Sequence, residues 1–237
     1  MNILDELSQV EVFKGCDSSF VSEIFNHLRV CEIPVGRSII SFGDTTNDVY
    51  INFQGLLDVS YLLQEGKKVT FDLIVPRQFF GEISAIDGEI RSADIVALTK
   101  VKLGIIKHDF FVGKMLTNRE FLIGLLNKSS SVIRNSNQQI LHLASADSKK
   151  KVLIQLLRLA RIYLKNSKSV KVVEGISHDT IASFVGLSRE TVTRTIGLLK
   201  KDGFIIDTGK GAITLDLDTI SSSIELSKDE LSNWGNV

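Results

Sequence analysis

Residues 176–205 read ISHDTIASFVGLSRETVTRTIGLLKKDGFI, and their spacing decides the architecture of the last third of the chain. Ser177 stands where a hydroxyl can cap a helix over HDTIASFV, Gly186 permits a left-handed turn, and Ser188 can cap a second helix that begins RETVTR. Ile181, Val185, Val192, Ile196 and Leu199 fall on the faces that must pack together. Arg189, Glu190, Thr193 and Arg194 are left on the outer face, with Thr191 in the same first turn. A helix pair of this kind presents the start of its second helix to a DNA major groove, where Arg can bond guanine bidentately and Glu can accept from cytosine. Just beyond, FIIDTGKGAITLDL predicts two short strands around Gly209-Lys210-Gly211, a hairpin whose tip offers Lys210 to a phosphate.

Charge agrees with that reading only locally. The chain of 237 residues has 28 Lys/Arg and 28 Asp/Glu, yet residues 148–210 hold 13 of the bases and only 5 of the acids. Such asymmetry suggests that one end of the chain meets a polyanion. A composition 43% hydrophobic and 24% charged excludes a disordered chain. No apolar run is long enough for a membrane-spanning helix. The opening MNILDELSQVEVF also carries acids where a secretory signal carries bases, so a reducing cytoplasm and no membrane partner are expected. Cys16 and Cys31 cannot build a four-thiolate site, and His27, His108, His142 and His178 show no metal spacing. With no GxxxxGK[ST], GxSxG or HExxH string, nothing supports an enzyme, a metal or a resident cofactor.

Upstream, DSSFVSEIFNHLRV predicts a helix with Asp17 or Ser18 as its N-cap. From Val30 to Ile106 the runs SIISF, DVYINF, LLDVSYLL, KVTFDLI, ADIVAL and VKLGII alternate with turn signals at Gly36, Gly43-Asp44, Gln54-Gly55, Glu65-Gly66 and Pro76. Short strands at that interval predict an antiparallel roll rather than an open sheet. After Lys107 the apolar residues take helical spacing, and Leu126, Ile133 and Ile140 lie seven apart with Ser136 and Asn137 between them, a heptad-like seam for a second copy of the chain. A further helix near 148–164 turns Val152, Leu156, Leu159 and Tyr163 inward.

Within the strand region, residues 79–93 read FFGEISAIDGEIRSA. Gly81 before a short helical turn exposes backbone N–H groups that favour an anion. Arg91 offers a fork that matches a phosphate, and the Ser92 hydroxyl adds a donor. Glu82 can accept from a ribose hydroxyl. With no ligand present, a buried Glu82 and a buried Arg91 are expected to satisfy each other.

The same stretch is similar to the phosphate-binding cassette of cyclic-nucleotide-binding domains, and GLSRETVTR is similar to the recognition helix of the cyclic AMP receptor protein and fumarate-nitrate regulator (Crp/Fnr) family. The resemblance runs through nearly the whole chain in order. It implies an α+β fold with a β-roll domain over 1–117, a dimerisation helix over 118–146, a winged helix-turn-helix over 147–220 and a tail over 221–237. By that resemblance Glu82 holds the ribose 2′-hydroxyl, while Arg91 and Ser92 hold the cyclic phosphate with backbone groups of Gly81, Ile83, Ser84 and Ala93. Ser136 and Asn137 would reach the base, with cyclic AMP the expected effector and cyclic GMP the other candidate. Two positions depart from the family pattern: Arg77, where a glycine is usual, and Asn137, where a second hydroxyl is usual. The implied partners are a second copy, palindromic double-stranded DNA with a TGTGA-like half-site, and RNA polymerase. Ser177, Ser188, Arg189, Glu190, Thr191, Thr193, Arg194 and Lys210 would meet the DNA. The competing expectations are the same fold responding to another effector or to none, and a cyclic-nucleotide module that regulates a partner protein.

Overall fold

A computed structural model describes residues 3–145, 147–161, 169–171, 176–208 and 212–223. The chain divides into two compact units, residues 1–138 and 139–237.

The first unit opens with α1 (Ile3–Ser8), a 3-10 turn at Glu11–Phe13 and α2 (Ser18–His27). Asp17 is the N-cap of α2, its carboxylate accepting from the Phe20 N–H at 2.8 Å. Eight strands follow: β1 (Arg29–Ile33), β2 (Ser38–Ile40), β3 (Val49–Gln54), β4 (Leu57–Leu62), β5 (Lys68–Ile74), β6 (Gln78–Phe80), β7 (Asp94–Ala97) and β8 (Val101–Ile106), with α3 (Glu82–Asp87) between β6 and β7. They form two four-stranded sheets, ordered β1-β8-β3-β6 and β2-β7-β4-β5, and every pairing is antiparallel. The six expected strands are all present. β1 and β6 are additions, because RVCEI mixes charged with apolar residues and QFF is only three residues long; each becomes a strand by pairing, with β8 and β3 respectively.

Two apolar clusters hold this unit together. One joins Ile40, Tyr50, Leu57, Phe80, Ile95 and Leu103 from both sheets. The other joins Leu7, Phe13 and Ile24 to Phe79, Phe111 and Phe121, with Phe13 stacked on Phe121 at 5.6 Å between ring centres and Phe79 edge-on to Phe121 at 5.8 Å. α4 (His108–Gly113) leads to the 27-residue α5 (Arg119–Ser145). A Cβ at Gly124 would stand 2.3 Å from the Val12 carbonyl oxygen, so only glycine lets α5 lie this close to the N-terminal turn. The seam residues of α5 point away from any core: Leu126, Ile133 and Ile140 are 67%, 61% and 63% exposed.

The second unit contains α6 (Ser148–Arg161), β9 (Ser169–Lys171), α7 (His178–Val185), α8 (Arg189–Lys201), β10 (Ile205–Asp207), β11 (Thr214–Asp216) and α9 (Leu217–Ser223). Asp147 starts α6 by accepting from the Lys150 N–H at 2.8 Å. Val152, Leu156 and Leu159 are buried as the spacing predicts, and Tyr163 lies outside the described residues. β10, β11 and β9 make a three-stranded antiparallel sheet. β9 lies outside the strands expected from the sequence; its partner β11 supplies the ladder.

A candidate anion cassette and a candidate DNA-reading helix

The cassette is built where β6 runs into α3. Gly81 caps α3 in the left-handed region at φ 83°. A Cβ there would lie 3.0 Å from the Tyr50 ring, 3.2 Å from Arg91 Nη1 and 3.3 Å from the Asp48 carbonyl oxygen. Both the backbone conformation and the close approach therefore require glycine. Arg77, one turn earlier, adopts φ 70° although it has a Cβ, so the usual glycine geometry persists here with a side chain that strains it. Its N–H donates to the Asn52 carbonyl oxygen at 2.6 Å, which fixes the turn to β3.

Arg91 is 2% exposed. Its Nη1 donates to the Gly81 carbonyl at 2.8 Å and to Ser84 Oγ at 2.7 Å; Nη2 donates to the Asp48 carbonyl at 2.6 Å and Nε to Thr46 Oγ1 at 3.2 Å. The guanidinium carbon lies 5.8 Å from the centre of the Tyr50 ring. Every one of these partners is neutral. Asp48, the nearest acid through its backbone, gives its carboxylate to Lys107 Nζ at 2.7 Å and to the His108 N–H at 3.2 Å. Burial pushes the Arg91 pKa down, against the pull of Tyr50 and of the acids at 48 and 44. Burial likewise pushes the Tyr50 phenol up.

The expected Glu82–Arg91 pair does not form. Glu82 is buried, and its carboxylate Oε1 instead accepts from Lys128 Nζ of α5, a residue the sequence reading passed over. The reason is geometric. The Arg91 fork is aimed at the β3 entry and the α3 N-terminus, and the Glu82 carboxylate is met by α5. Of the other cassette residues, Ser84 and Ala93 are buried, Ile83 and Ser92 are exposed, and Ser136 and Asn137 are exposed on α5.

In the second unit the caps sit as the sequence implied. Ser177 Oγ accepts from the Thr180 N–H at 3.1 Å, Ser188 Oγ accepts from the Thr191 N–H at 3.2 Å, and Gly186 turns the chain at φ 67°. Ile181, Val185, Val192, Ile196 and Leu199 are buried between the helices. Arg189, Glu190, Thr193 and Arg194 are exposed together on α8, while Thr191 Oγ1 is turned back to Ser188 Oγ at 2.9 Å. Thr193 Oγ1 donates to the Arg189 carbonyl at 2.9 Å, so its 2.8 Å contact with His178 is one in which the ring Nδ1–H donates. His178 had no periodic signal; it reaches Thr193 only because the turn brings the start of α7 to the first turns of α8. Lys210 lies outside the described residues.

Among the described residues, no group of three or more His, Cys, Asp or Glu is placed to hold a metal, and no helix is long and apolar enough to cross a membrane. Cys16 and Cys31 are free and half-buried, and burial raises both thiol pKa values, which disfavours the reactive thiolate.

Comparison with known proteins follows the same division. Residues 30–118 match the cyclic nucleotide-binding domain, and residues 150–222 match the Crp-like helix-turn-helix domain. The chain is 32% identical over 166 residues to the transcriptional regulator SdrP of Thermus thermophilus, covering 70% of this chain and 78% of that one. It is 24% identical over 220 residues to the CRP-like cAMP-activated global transcriptional regulator of Mycobacterium tuberculosis, covering 92% and 98%. The solved structure of the c-di-GMP responsive global regulator CLP of Xanthomonas campestris superposes with a TM-score of 0.71 at 18% identity, covering 84% and 99%. A β-roll with its cassette, a long helix and a Crp-like helix-turn-helix in this order place the chain in the Crp/Fnr family of transcription regulators.

Proposed function

We propose that this chain is a homodimeric, sequence-specific DNA-binding regulator controlled by a cyclic nucleotide at the cassette, with cyclic AMP the first candidate and cyclic GMP the second. The observation that carries the reading is Arg91, a guanidinium 2% exposed whose four donor contacts all go to neutral acceptors. Buried charges are ordinarily paired, and a cyclic phosphodiester supplies the missing anion, taking the remaining Nη2 hydrogen and donors now given to the neutral acceptors around it. The phosphate would also use Ser92 and the N–H groups of Ile83, Ser84 and Ala93, and Glu82 would take the ribose.

The exposed Leu126, Ile133 and Ile140 favour a second copy along α5, because an apolar heptad seam left in water is what a helix pair buries. The base would meet Ser136 and Asn137 on that helix, so that the nucleotide shifts how the two copies pair. Only a ligand that prefers one arrangement can act as a switch. Two recognition helices related by a two-fold axis call for a palindrome whose half-sites lie about one helical turn apart. Arg189 and Arg194 would read guanines and Glu190 a cytosine, in a half-site like TGTGA. Ser177, Ser188, Thr191, Thr193 and Lys210 would position the backbone. RNA polymerase is the protein partner and the cytoplasm the site of action in this reading.

Titration calorimetry with cyclic AMP, cyclic GMP and cyclic di-GMP, followed by selection from random DNA with and without the bound nucleotide, tests it. The expected result is micromolar or tighter binding of one nucleotide and a palindromic consensus with a GTGA-like core. A consensus without that core overturns the assignment of the reading residues. DNA affinity unchanged within twofold by every nucleotide overturns the switch.

A further inference from the structure

The cassette holds two buried charges that do not meet, and each has a different arrangement. Arg91 faces only neutral acceptors. Glu82 is bonded through Oε1 to the Lys128 ammonium, whose side chain is three-quarters buried beside it. Among the described residues, no hydrogen bond reaches Oε2 of Glu82. Lys128 and Glu82 cancel, as do Lys107 and Asp48, while the Asp44 side chain is exposed. Among the described residues, Arg91 is left with no acid hydrogen-bonded to its guanidinium, and only the more distant acids at 48 and 44 pull on it. The single negative charge of a cyclic phosphodiester therefore reaches Arg91 without having to break an ion pair.

We infer that Lys128 is a positioning residue of the nucleotide site: it stays on Oε1 and holds the Glu82 carboxylate aimed, so that Oε2 accepts the ribose 2′-hydroxyl. Without the ammonium the buried carboxylate loses the partner that fixes it and swings toward solvent. It then stops presenting its acceptor to the ribose. The inference deepens the nucleotide reading above and rests on it. It also gives α5 a direct hold on the cassette in advance of the base contacts, which lie two turns further along the helix at Ser136 and Asn137.

The test compares cyclic AMP with 2′-deoxy cyclic AMP by titration calorimetry on the wild-type chain, Lys128→Met, which keeps the apolar stem, and Lys128→Arg, which keeps the charge. A hydrogen bond to a charged acceptor predicts that the wild-type protein favours cyclic AMP over the deoxy analogue by roughly 10- to 100-fold. In Lys128→Met the preference falls to about threefold or less, through weaker binding of cyclic AMP, while the affinity for the deoxy analogue moves little. Lys128→Arg recovers most of the preference. Lys128→Gln, a neutral variant that still donates to Glu82, serves if the Met variant does not fold, and is expected to lie between the two. Undiminished preference in the neutral variants overturns the inference, as does tighter binding of cyclic AMP, which would make Lys128 a competitor for Glu82. A wild-type protein that binds no cyclic nucleotide overturns the reading of the cassette and this inference together.

Discussion

Replacing Arg91 by Ala separates the two things this side chain does. In the unliganded protein it donates to the Gly81 and Asp48 carbonyls and to Ser84 and Thr46, so truncation leaves buried acceptors short of a donor. Each orphaned acceptor costs about 1–3 kcal/mol, but removing an unpaired buried guanidinium returns part of that, and water can fill the space. The net loss of stability is expected at ~1–3 kcal/mol, a fall in melting temperature of roughly 2–10 °C. The ligand loses more. A charged, hydrogen-bonded pair in a buried site is worth ~2–5 kcal/mol, or about 30- to several-thousand-fold in affinity. At cyclic AMP one hundred times the wild-type Kd, the nucleotide stabilises the wild-type protein by about 2.7 kcal/mol and the variant by less than ~0.9 kcal/mol. Calorimetric titration gives the affinities, and melts with and without nucleotide give the stabilities. A folded Arg91→Ala protein that binds cyclic AMP within threefold of wild type would refute the reasoning, since the phosphate would then have another partner.

Gly81→Ala is expected to abolish nucleotide binding in the same titration, because φ 83° and a Cβ 3.0 Å from the Tyr50 ring force the Arg91 platform to move; Gly88→Ala, at φ 74° with open space around it, should cost stability but keep binding. If α5 pairs two copies as proposed, the wild type sediments as a dimer and Leu126→Glu with Ile133→Glu as a monomer at the same concentration, because like charges then face each other along the seam. The Asp17 carboxyl is held below its ordinary pKa by the Ser19 hydroxyl and then by the Phe20 N–H. A depressed carboxylate stabilises the fold above its ordinary pKa and stops doing so as pH falls through the lowered value. The gap in melting temperature between wild type and Asp17→Ala should therefore be present at neutral pH and close in acid.

The parts of this protein that were legible in the residues alone are those whose physics is local. Ser177, Gly186 and Ser188 punctuate α7 and α8 because a cap needs a hydroxyl three residues from an unpaired N–H, and a tight turn needs a residue free to take positive φ. The heptad of α5 and the short apolar runs of β3, β4, β7 and β8 between turn residues are equally local patterns, so the order of roll, long helix and helix-turn-helix could be written down in advance. β1, β6 and β9 could not, since three to five residues of mixed polarity become strands only when β8, β3 and β11 offer them a ladder. The cassette motif sets Glu82 and Arg91 nine residues apart, and that nearness suggests a pair. Their partners were decided by the register of the roll and the docking of α5: the Asp48 carbonyl 43 residues from Arg91, and the Lys128 ammonium 46 residues from Glu82. Contacts at such separations carry no periodic signal, because they depend on how two elements meet and not on the spacing within either.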